Sequence, residues 1–149
     1  MVRPESPESP AYTASSRLKA AGLHSAVTLF TGVAGSVPIP KPPHPVVLAD
    51  YGAATGHNSL LPLGAAIDVL GARIRKDQAV LVTHTDVADN NFTTLFQTLT
   101  DDPDSYLHHH PATFCSAVGR SFYQQVLPSD SVTLGWSSWA IQWLSRTPE

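Results

Sequence analysis

A short apolar run followed by two glycines is the feature that most constrains the fold of this chain. Residues 46–49 are apolar and are bounded by a proline and a glycine turn, as is typical of a central parallel strand. Asp50 comes at the carboxyl end of this run, where open α/β sheets place ligand-binding groups. Gly52 and Gly56 allow a sharp turn and a close approach of a ligand to the backbone. The stretch therefore predicts a strand, a tight turn and a helix start that suit a small molecule with a nucleoside part.

The glycine turn alone leaves two interpretations open. An ordinary strand-to-helix turn explains it, with Asn58 or Ser59 capping the helix, because the dinucleotide fingerprint G-x-G-x-x-G lacks its middle glycine here. Asp86 favours ligand binding, since it ends a second predicted strand at residues 79–85 and should project at the same sheet edge as Asp50. A carboxylate there can accept hydrogen bonds from both ribose hydroxyls, and a nucleoside fits this turn better than NAD.

Helices and strands alternate along the chain. Helices are predicted at 11–30, 60–74, 121–126 and 139–145, the last of them capped by Ser137 or Ser138. A further helix is predicted after a cap at Asp89 or Asn90. Strands are predicted at 46–49, 79–85, 113–118 and 131–135. A proline-rich connector at 36–45 separates the first helix from the first strand. This order indicates an α/β fold with a doubly wound, mostly parallel sheet of about four strands flanked by helices. We expect a disordered tail at 1–10 and one domain at 11–149.

Composition and charge narrow the classes of partner. A formal net charge of −3 argues against a nucleic-acid platform, which needs a basic surface. No run of about 18 apolar residues is present, so we expect no membrane span. A cytoplasmic protein is predicted, because the chain has a single cysteine, Cys115, and no secretory signal pattern. We expect the thiol of Cys115 to be buried and inert. The run His108 to His110 is more typical of a polar loop than of a metal site, because adjacent histidines do not point to one centre.

Four blocks of sequence resemble, in order and spacing, those of a known enzyme family. Ala49 to Asn58 is similar to Ala-Asp-Leu-Gly-x-x-x-Gly-x-Asn, and Thr85 to Thr93 is similar to Asn-Asp-Leu-Pro-x-Asn-Asp-Phe-Asn. Residues 120–131 resemble Gly-Ser-Phe-Tyr-x-x-Leu-Phe-Pro-x-x-Ser, and residues 137–148 resemble Ser-Ser-Tyr-x-x-x-Trp-Leu-Ser-x-x-Pro. The chain thus resembles the N-terminal part of the SABATH-type S-adenosylmethionine-dependent carboxyl methyltransferases, which implies their Rossmann-like methyltransferase fold.

The resemblance implies a role for each matching residue. The cofactor, S-adenosylmethionine, would be bound by Tyr12, Ser16, Asp50, Gly52, Gly56, Asn58, Asp86, Val87, Ser121 and Phe122. The acceptor, a small-molecule carboxylic acid, would be bound by Lys19, Trp139, Gln142 and Trp143. From the local sequence alone, core packing explains Phe122 and Tyr123 better than adenine binding does. Lys19 stands where the family has a glutamine, and it either binds the anionic acceptor or is a solvated surface residue.

Methyl transfer from a sulfonium to a carboxylate is an in-line displacement. A carboxylic acid with a pKa of about 4 is already ionised at neutral pH, so we expect no catalytic base. Family enzymes continue with further strands and a helical cap, so the chain corresponds to a methyltransferase or its cofactor-binding part. The alternative is a non-catalytic nucleoside-binding or interaction module. An open sheet edge makes pairing with a second copy or with a missing C-terminal part plausible.

Overall fold

The computed structural model describes residues 10–140 and residue 144, with side chains described from residue 22 onward. In chain order the elements are α1 (Pro10–Ser36), β1 (Val46–Tyr51), a 3₁₀ turn (His57–Ser59), α2 (Leu60–Gly71), β2 (Val80–Asp86), α3 (Phe92–Asp101), a second 3₁₀ turn (Tyr106–His108), β3 (Thr113–Gly119) and β4 (Leu134–Ser137). The predicted alternation of helices and strands is confirmed, and the proline-rich connector carries neither element.

The four strands form one sheet in the order β3-β2-β1-β4. All three pairings are parallel, so the carboxyl ends of the strands meet at one edge. From β1 the chain moves outward through β2 to β3 and then returns to the other side of β1 as β4. Strand order therefore reverses between β1 and β4, and a crevice outside the carboxyl ends of the strands at such a switch point is where ligands bind in open α/β sheets.

The core lies on one face of the sheet. Successive strand residues point to opposite faces, and the core takes alternate ones, Val46 and Leu48 of β1 with Val80 and Val82 of β2, all fully buried. The helices join the same cluster through apolar residues spaced three and four apart: Phe30 and Ala34 from α1, Leu60, Leu63, Ile67 and Leu70 from α2, and Leu95 and Leu99 from α3. The three described helices thus share one face of the sheet.

The opposite face carries a second apolar row. Val47, Leu81 and Phe114 lie in register across β1, β2 and β3. Exposure rises along this row, from 9% at Val47 to 58% at Phe114. Parallel sheets normally bury both faces, and among the described residues this row is open toward β3.

The first helix ends six residues later than predicted. It passes Gly32 and Gly35 and stops at Ser36, two residues before Pro38. The guanidinium of Arg73, just beyond α2, donates hydrogen bonds to the carbonyls of Ala34 and Val37. Carbonyls at a helix end lack partners within the helix, so this contact from a distant part of the chain stabilises a terminus that helix propensity alone would place earlier.

The predicted helix at 121–126 is wrong. The segment is a turn, in which the Gln124 N–H donates to the Ser121 carbonyl at 2.9 Å and the Tyr123 N–H to the Ser121 hydroxyl at 3.3 Å. The Arg120 guanidinium donates to the carbonyl of Gln125 at 3.0 Å. These hydrogen bonds hold the segment as a turn, and they use backbone N–H and carbonyl groups that a helix would need for its own hydrogen bonds.

Several boundaries also differ from the predictions. The cap of α3 is Asn91, whose side chain accepts from the Thr94 N–H, rather than Asp89 or Asn90. Strand β4 is Leu134–Ser137 instead of 131–135, because Thr133 is occupied in hydrogen bonds with Val47 ahead of the ladder. Helix α2 ends at Gly71 rather than at 74, and Ser59 is its N-cap but makes no side-chain hydrogen bond there. Helix α1 starts at Pro10, and β1 extends through Asp50 to Tyr51.

The last predicted helix does not begin at residue 139. Trp139 has a backbone φ of 62°, in the left-handed region that an α-helix cannot contain. Residues 140 and 144 of the predicted helix are also not helical, and its other residues lie outside the described part of the chain, as do residues 1–9 of the predicted tail.

Candidate functional site

The turn after β1 uses its glycines as predicted. Gly52 and Gly56 have φ values of 78° and 81°, which favour glycine. The N–H groups of Gly52 and Ala53 both donate to the carbonyl of Thr85, at 2.9 and 3.1 Å. A Cβ added at Gly52 would lie 2.5 Å from the Cβ of Ala140, closer than carbon atoms can approach. Backbone conformation and space therefore both require glycine at position 52.

Asp86 binds this turn with both oxygens of its carboxylate. Oδ2 accepts from the Ala54 N–H at 2.7 Å, and Oδ1 accepts from the Val87 N–H at 2.8 Å. Asn90 donates to the Ala54 carbonyl at 2.8 Å, so the turn is held on both sides. Each carboxylate oxygen accepts more than one hydrogen bond, and Asp86 is partly exposed. The carboxylate can therefore hold the turn and still accept a pair of hydroxyls.

Asp50 lies below the turn and is buried, with 1% of its surface exposed. Its Oδ2 accepts from Nδ1 of His84 at 2.8 Å, and Nε2 of His84 lies 2.7 Å from the hydroxyl of Tyr106. His84 and Tyr106 are both fully buried. Burial raises the pKa of the Tyr106 phenol far above its ordinary value, with smaller contributions from Cys115 and Asp50.

Sequence reasoning assigned no role to His84 or Tyr106. The signal for His84 was present, because the two-residue period of a strand places it on the same face as the buried Val80 and Val82. A polar side chain on that face needs a partner. Tyr106 left no comparable signal, since it follows α3 in a polar loop and meets His84 only through the folded chain.

The loop after β3 reaches the same edge. The Arg120 N–H donates to the carbonyl of Asp86 at 2.7 Å, which fastens this loop to the end of β2. Phe122 is 36% exposed and its ring lies against Tyr123, with 5.2 Å between ring centroids. Val87 is 47% exposed. Phe122 is therefore no part of the buried core, and two exposed apolar side chains follow the carboxyl ends of β2 and β3.

A small cavity of about 160 Å³ lies between α1 and the end of β4. Its lining consists of Gly22, Leu23, Ala26, Trp136, Ser137, Ser138 and Trp139. The Ser137 hydroxyl donates to the carbonyl of Tyr51 at 3.2 Å, which closes the crevice between β1 and β4 from below. Trp139 is 44% exposed. This predicted acceptor residue therefore lies at the switch point.

The other predicted residues are placed less fully. Tyr12, Ser16 and Lys19 belong to α1. Their side chains are outside the described set, and Gln142 and Trp143 lie outside the described residues. Asn58 is exposed in the 3₁₀ turn that follows the glycines.

The histidine run is used for local packing. Nδ1 of His109 lies 2.9 Å from Oδ1 of Asp68, and Nδ1 of the buried His110 accepts from the Ala112 N–H at 3.3 Å. Within the described part of the chain, no three His, Cys, Asp or Glu side chains group as metal ligands would. Cys115 is partly buried, and desolvation raises the pKa of its thiol, as expected of an inert cysteine.

A wider groove of about 570 Å³ lies at the opposite end of the sheet. It is formed by the proline-rich connector and the segment before β4, and Val47 and Thr133 of the strand ends line it. This groove is on the amino edge of the sheet, away from the glycine turn. Ligand-binding groups in this class of fold gather at the carboxyl edge.

Comparison with known protein families identifies the family of the chain that carries this site. Residues 5–149 match the family model described as SAM dependent carboxyl methyltransferase. The chain belongs to this family. The resemblance of the four sequence blocks to SABATH-type methyltransferases is thereby confirmed.

Curated relatives of this methyltransferase family match the chain over most of its length. Methyltransferase FUS9 of Gibberella moniliformis is 32% identical over 142 residues, which cover 93% of this chain and 38% of the relative. Farnesoic acid carboxyl-O-methyltransferase of Arabidopsis thaliana is 31% identical, with 70% of this chain and 29% of the relative covered. The chain therefore spans well under half the length of these relatives.

A solved structure supports the same fold for this family member. The structure described as loganic acid methyltransferase with SAH matches 99% of the chain at a TM-score of 0.74, with 22% sequence identity. The match covers 42% of that chain. The predicted Rossmann-like methyltransferase fold, with a parallel sheet and flanking helices present in part, is confirmed. Among the described helices, none has the length and apolar character needed to cross a membrane.

Proposed function

We propose that this chain forms the cofactor-binding part of a methyltransferase that moves a methyl group from S-adenosylmethionine to the carboxylate of a small-molecule acid. One observation carries the proposal. The carboxylate of Asp86 holds the glycine turn through Ala54, while the backbone of the same residue anchors the loop after β3 through Arg120. Three loops are thus joined into one surface at the switch point of a sheet whose family uses S-adenosylmethionine.

We assign the parts of the cofactor by chemistry. Asp50, at the end of β1, is suited to the ammonium of the methionine part, with Gly52, Gly56 and Asn58 lining the approach and Tyr12 and Ser16 contributing from α1. Asp86 is suited to the ribose hydroxyls, because a carboxylate accepts a pair of O–H donors. We assign adenine to Val87, Ser121 and Phe122. The exposed apolar side chains of Val87 and Phe122 suit the flat faces of the base, and the Ser121 hydroxyl suits its polar edge.

The acceptor would lie on the β4 side of the cofactor. Lys19, Trp139, Gln142 and Trp143 are the residues we assign to it, and aromatic side chains there favour a flat or apolar acid. In the reaction, a carboxylate oxygen forms a bond to the methyl carbon as the bond from that carbon to sulfur breaks. The sulfonium becomes a neutral thioether and the carboxylate becomes an ester, so no proton moves and no base is required. The protein contributes alignment and exclusion of water.

A second candidate function rests on the length of the match. The chain covers 38% of methyltransferase FUS9 and 42% of the solved methyltransferase structure. A chain that binds the nucleoside but does not enclose an acceptor would transfer nothing. This candidate is a non-catalytic nucleoside-binding or interaction module with the same cofactor edge.

Two measurements on the full chain test these proposals. Calorimetry with S-adenosylmethionine and S-adenosylhomocysteine tests the cofactor site, and we expect both to bind. Transfer of a labelled methyl group to a panel of aromatic and aliphatic acids then separates the two functions. Ester formation supports the methyltransferase, and binding without transfer to any acid supports the non-catalytic module. Failure of both nucleosides to bind would refute the cofactor site itself.

A further inference from the structure

A continuous polar chain runs through the otherwise apolar core, from Asp50 through His84 to Tyr106. The two contacts are short, 2.8 Å from Asp50 Oδ2 to His84 Nδ1 and 2.7 Å from His84 Nε2 to the Tyr106 hydroxyl. All three residues are buried, with exposures of 1%, 0% and 0%. The rings of His84 and Tyr106 are also stacked, with centroids 5.8 Å apart and planes inclined by 28°.

For the neutral form of His84, the protons in this chain have one arrangement that uses every hydrogen-bonding atom. The carboxylate of Asp50 only accepts, so Nδ1 of His84 carries a proton and donates it. Burial raises the pKa of Tyr106, so its hydroxyl keeps its proton and donates to Nε2. In this arrangement Nδ1 of His84 carries the proton and Nε2 accepts. Its tautomer is set by the carboxylate of Asp50, which only accepts, and its orientation is set by both partners.

The hydrogen bond from His84 engages one oxygen of the Asp50 carboxylate. Asp50 and His84 are register partners on adjacent parallel strands, so the bond crosses the sheet directly beneath the glycine turn. It fixes the plane of the carboxylate and leaves Oδ1 for a second partner. A carboxylate that must meet an ammonium group benefits from such a fixed orientation, because nothing has to be ordered when the ligand arrives.

We propose that His84 is a positioning residue for the cofactor, and that it orients the carboxylate of Asp50 toward the ammonium of the methionine part while Tyr106 holds the imidazole ring in place at Nε2. The inference rests on the proposed function, because it assumes that S-adenosylmethionine binds at this edge. A buried polar pair contributes little to stability compared with an apolar pair of similar volume. The surrounding positions Leu48 and Val82 are apolar, so orientation of Asp50 explains a polar pair here better than packing does.

Two ligands separate this role from a structural one. S-adenosylhomocysteine carries the ammonium, whereas 5′-methylthioadenosine has the same adenine and ribose but no amino-acid part. In calorimetry on the full chain, His84→Leu should weaken S-adenosylhomocysteine about ten- to a hundredfold, as loss of a hydrogen bond to a charged group does. Its affinity for 5′-methylthioadenosine should stay within about twofold of the unsubstituted chain.

Two further variants keep the test independent of folding. His84→Asn retains an N–H near the position of Nδ1, so it should recover most of the affinity for S-adenosylhomocysteine. Tyr106→Phe removes only the hydroxyl, and it should weaken the same ligand selectively by releasing the ring of His84 at Nε2. The matched control is Thr83→Val, which removes a partly buried 2.8 Å hydrogen bond to Ser116 from the other face of the sheet and should change neither affinity.

Three results would overturn the inference. His84→Leu and Tyr106→Phe that bind S-adenosylhomocysteine like the unsubstituted chain would show that His84 orients nothing. Equal losses for both ligands in these variants would show a structural role alone. If the unsubstituted chain bound neither ligand, the proposed function would fail and this inference with it, an outcome that is distinct from the other two.

Discussion

The side-chain amide of Asn90 donates a hydrogen bond to the backbone carbonyl of Ala54 across 36 residues of sequence, at 2.8 Å. The N–H of Ala54 is held by Asp86. Ala54 also has a φ of 48°, in the left-handed region that costs a residue with a Cβ about 1 kcal/mol. The loop after β2 thus supplies the contacts that keep the turn after β1 in its conformation.

Removing the Asn90 contact should loosen this turn. We expect Asn90→Ala to lower the free energy of unfolding by about 1 kcal/mol and to weaken S-adenosylhomocysteine severalfold, because the Ala54 carbonyl loses its partner. Urea denaturation and calorimetry measure the two effects. Gln97→Ala, an exposed change on α3, is the control and should alter neither quantity. Unchanged binding in Asn90→Ala would mean that the turn needs no support from this loop.

Asp86 should matter more for binding than any other exposed or half-exposed carboxylate near this edge. Asp86→Asn replaces one accepting oxygen with an amide NH₂ group, which is a donor and cannot accept from the backbone N–H group that it would face. We expect a loss of about 1–2 kcal/mol in stability and a weakening of S-adenosylhomocysteine of about tenfold or more. Asp89→Asn, an exposed change on the same loop, makes the same change in charge and should leave affinity near its starting value. Similar affinities in the two variants would contradict the ribose assignment.

Two glycine substitutions should have opposite signs. Gly52→Ala combines a φ of 78° with a Cβ placed 2.5 Å from that of Ala140, and it should destabilise the fold by about 2 kcal/mol or more. Gly32→Ala lies within α1, where an added Cβ meets nothing within 4 Å. It should stabilise the chain by about 0.5–1 kcal/mol through helix propensity. Thermal melts measure both changes, and a tolerated Gly52→Ala would refute the described packing of the turn.

Tyr106 should make stability fall at alkaline pH. Its folded pKa lies above its unfolded value of about 10, so the unfolded chain releases the phenolic proton first. The contribution is complete below pH ~10 and is lost as the pH rises above it, by up to about 1.4 kcal/mol per unit. The measurement is urea denaturation between pH 8 and 11. Tyr106→Phe should flatten this part of the profile, and an identical slope in that variant would contradict the assignment.

Local rules predicted some of these elements well. Strand β1 and its glycine turn follow from a short apolar run and from residues whose conformations only glycine adopts freely. The end of α1 could not be read in the same way, because Arg73 stabilises it from beyond α2. Phe122 and Val126 imitate helical spacing, yet the turn bonds of Ser121 determine the observed loop.

The position of the two carboxylates of the candidate site was predictable from the sequence, but their contacts were not. Asp50 and Asp86 could be assigned to one edge, because parallel strands end together. The pairing of Asp50 with His84 depends on strand register, and the contact with Tyr106 depends on how a distant loop packs. Such contacts arise from the folded arrangement, and no local pattern encodes them.

The rising exposure of the row Val47, Leu81 and Phe114 has a consequence for local opening. Solvent reaches the sheet from the β3 side, while β1 is covered on its core face and paired on both edges. Backbone amide protons of β1 should therefore exchange with deuterium by global unfolding, and those of β3 by smaller local openings. Because β1 carries Asp50 and leads into the glycine turn, we expect the candidate site at the carboxyl edge to begin in the slowest-exchanging part of the chain.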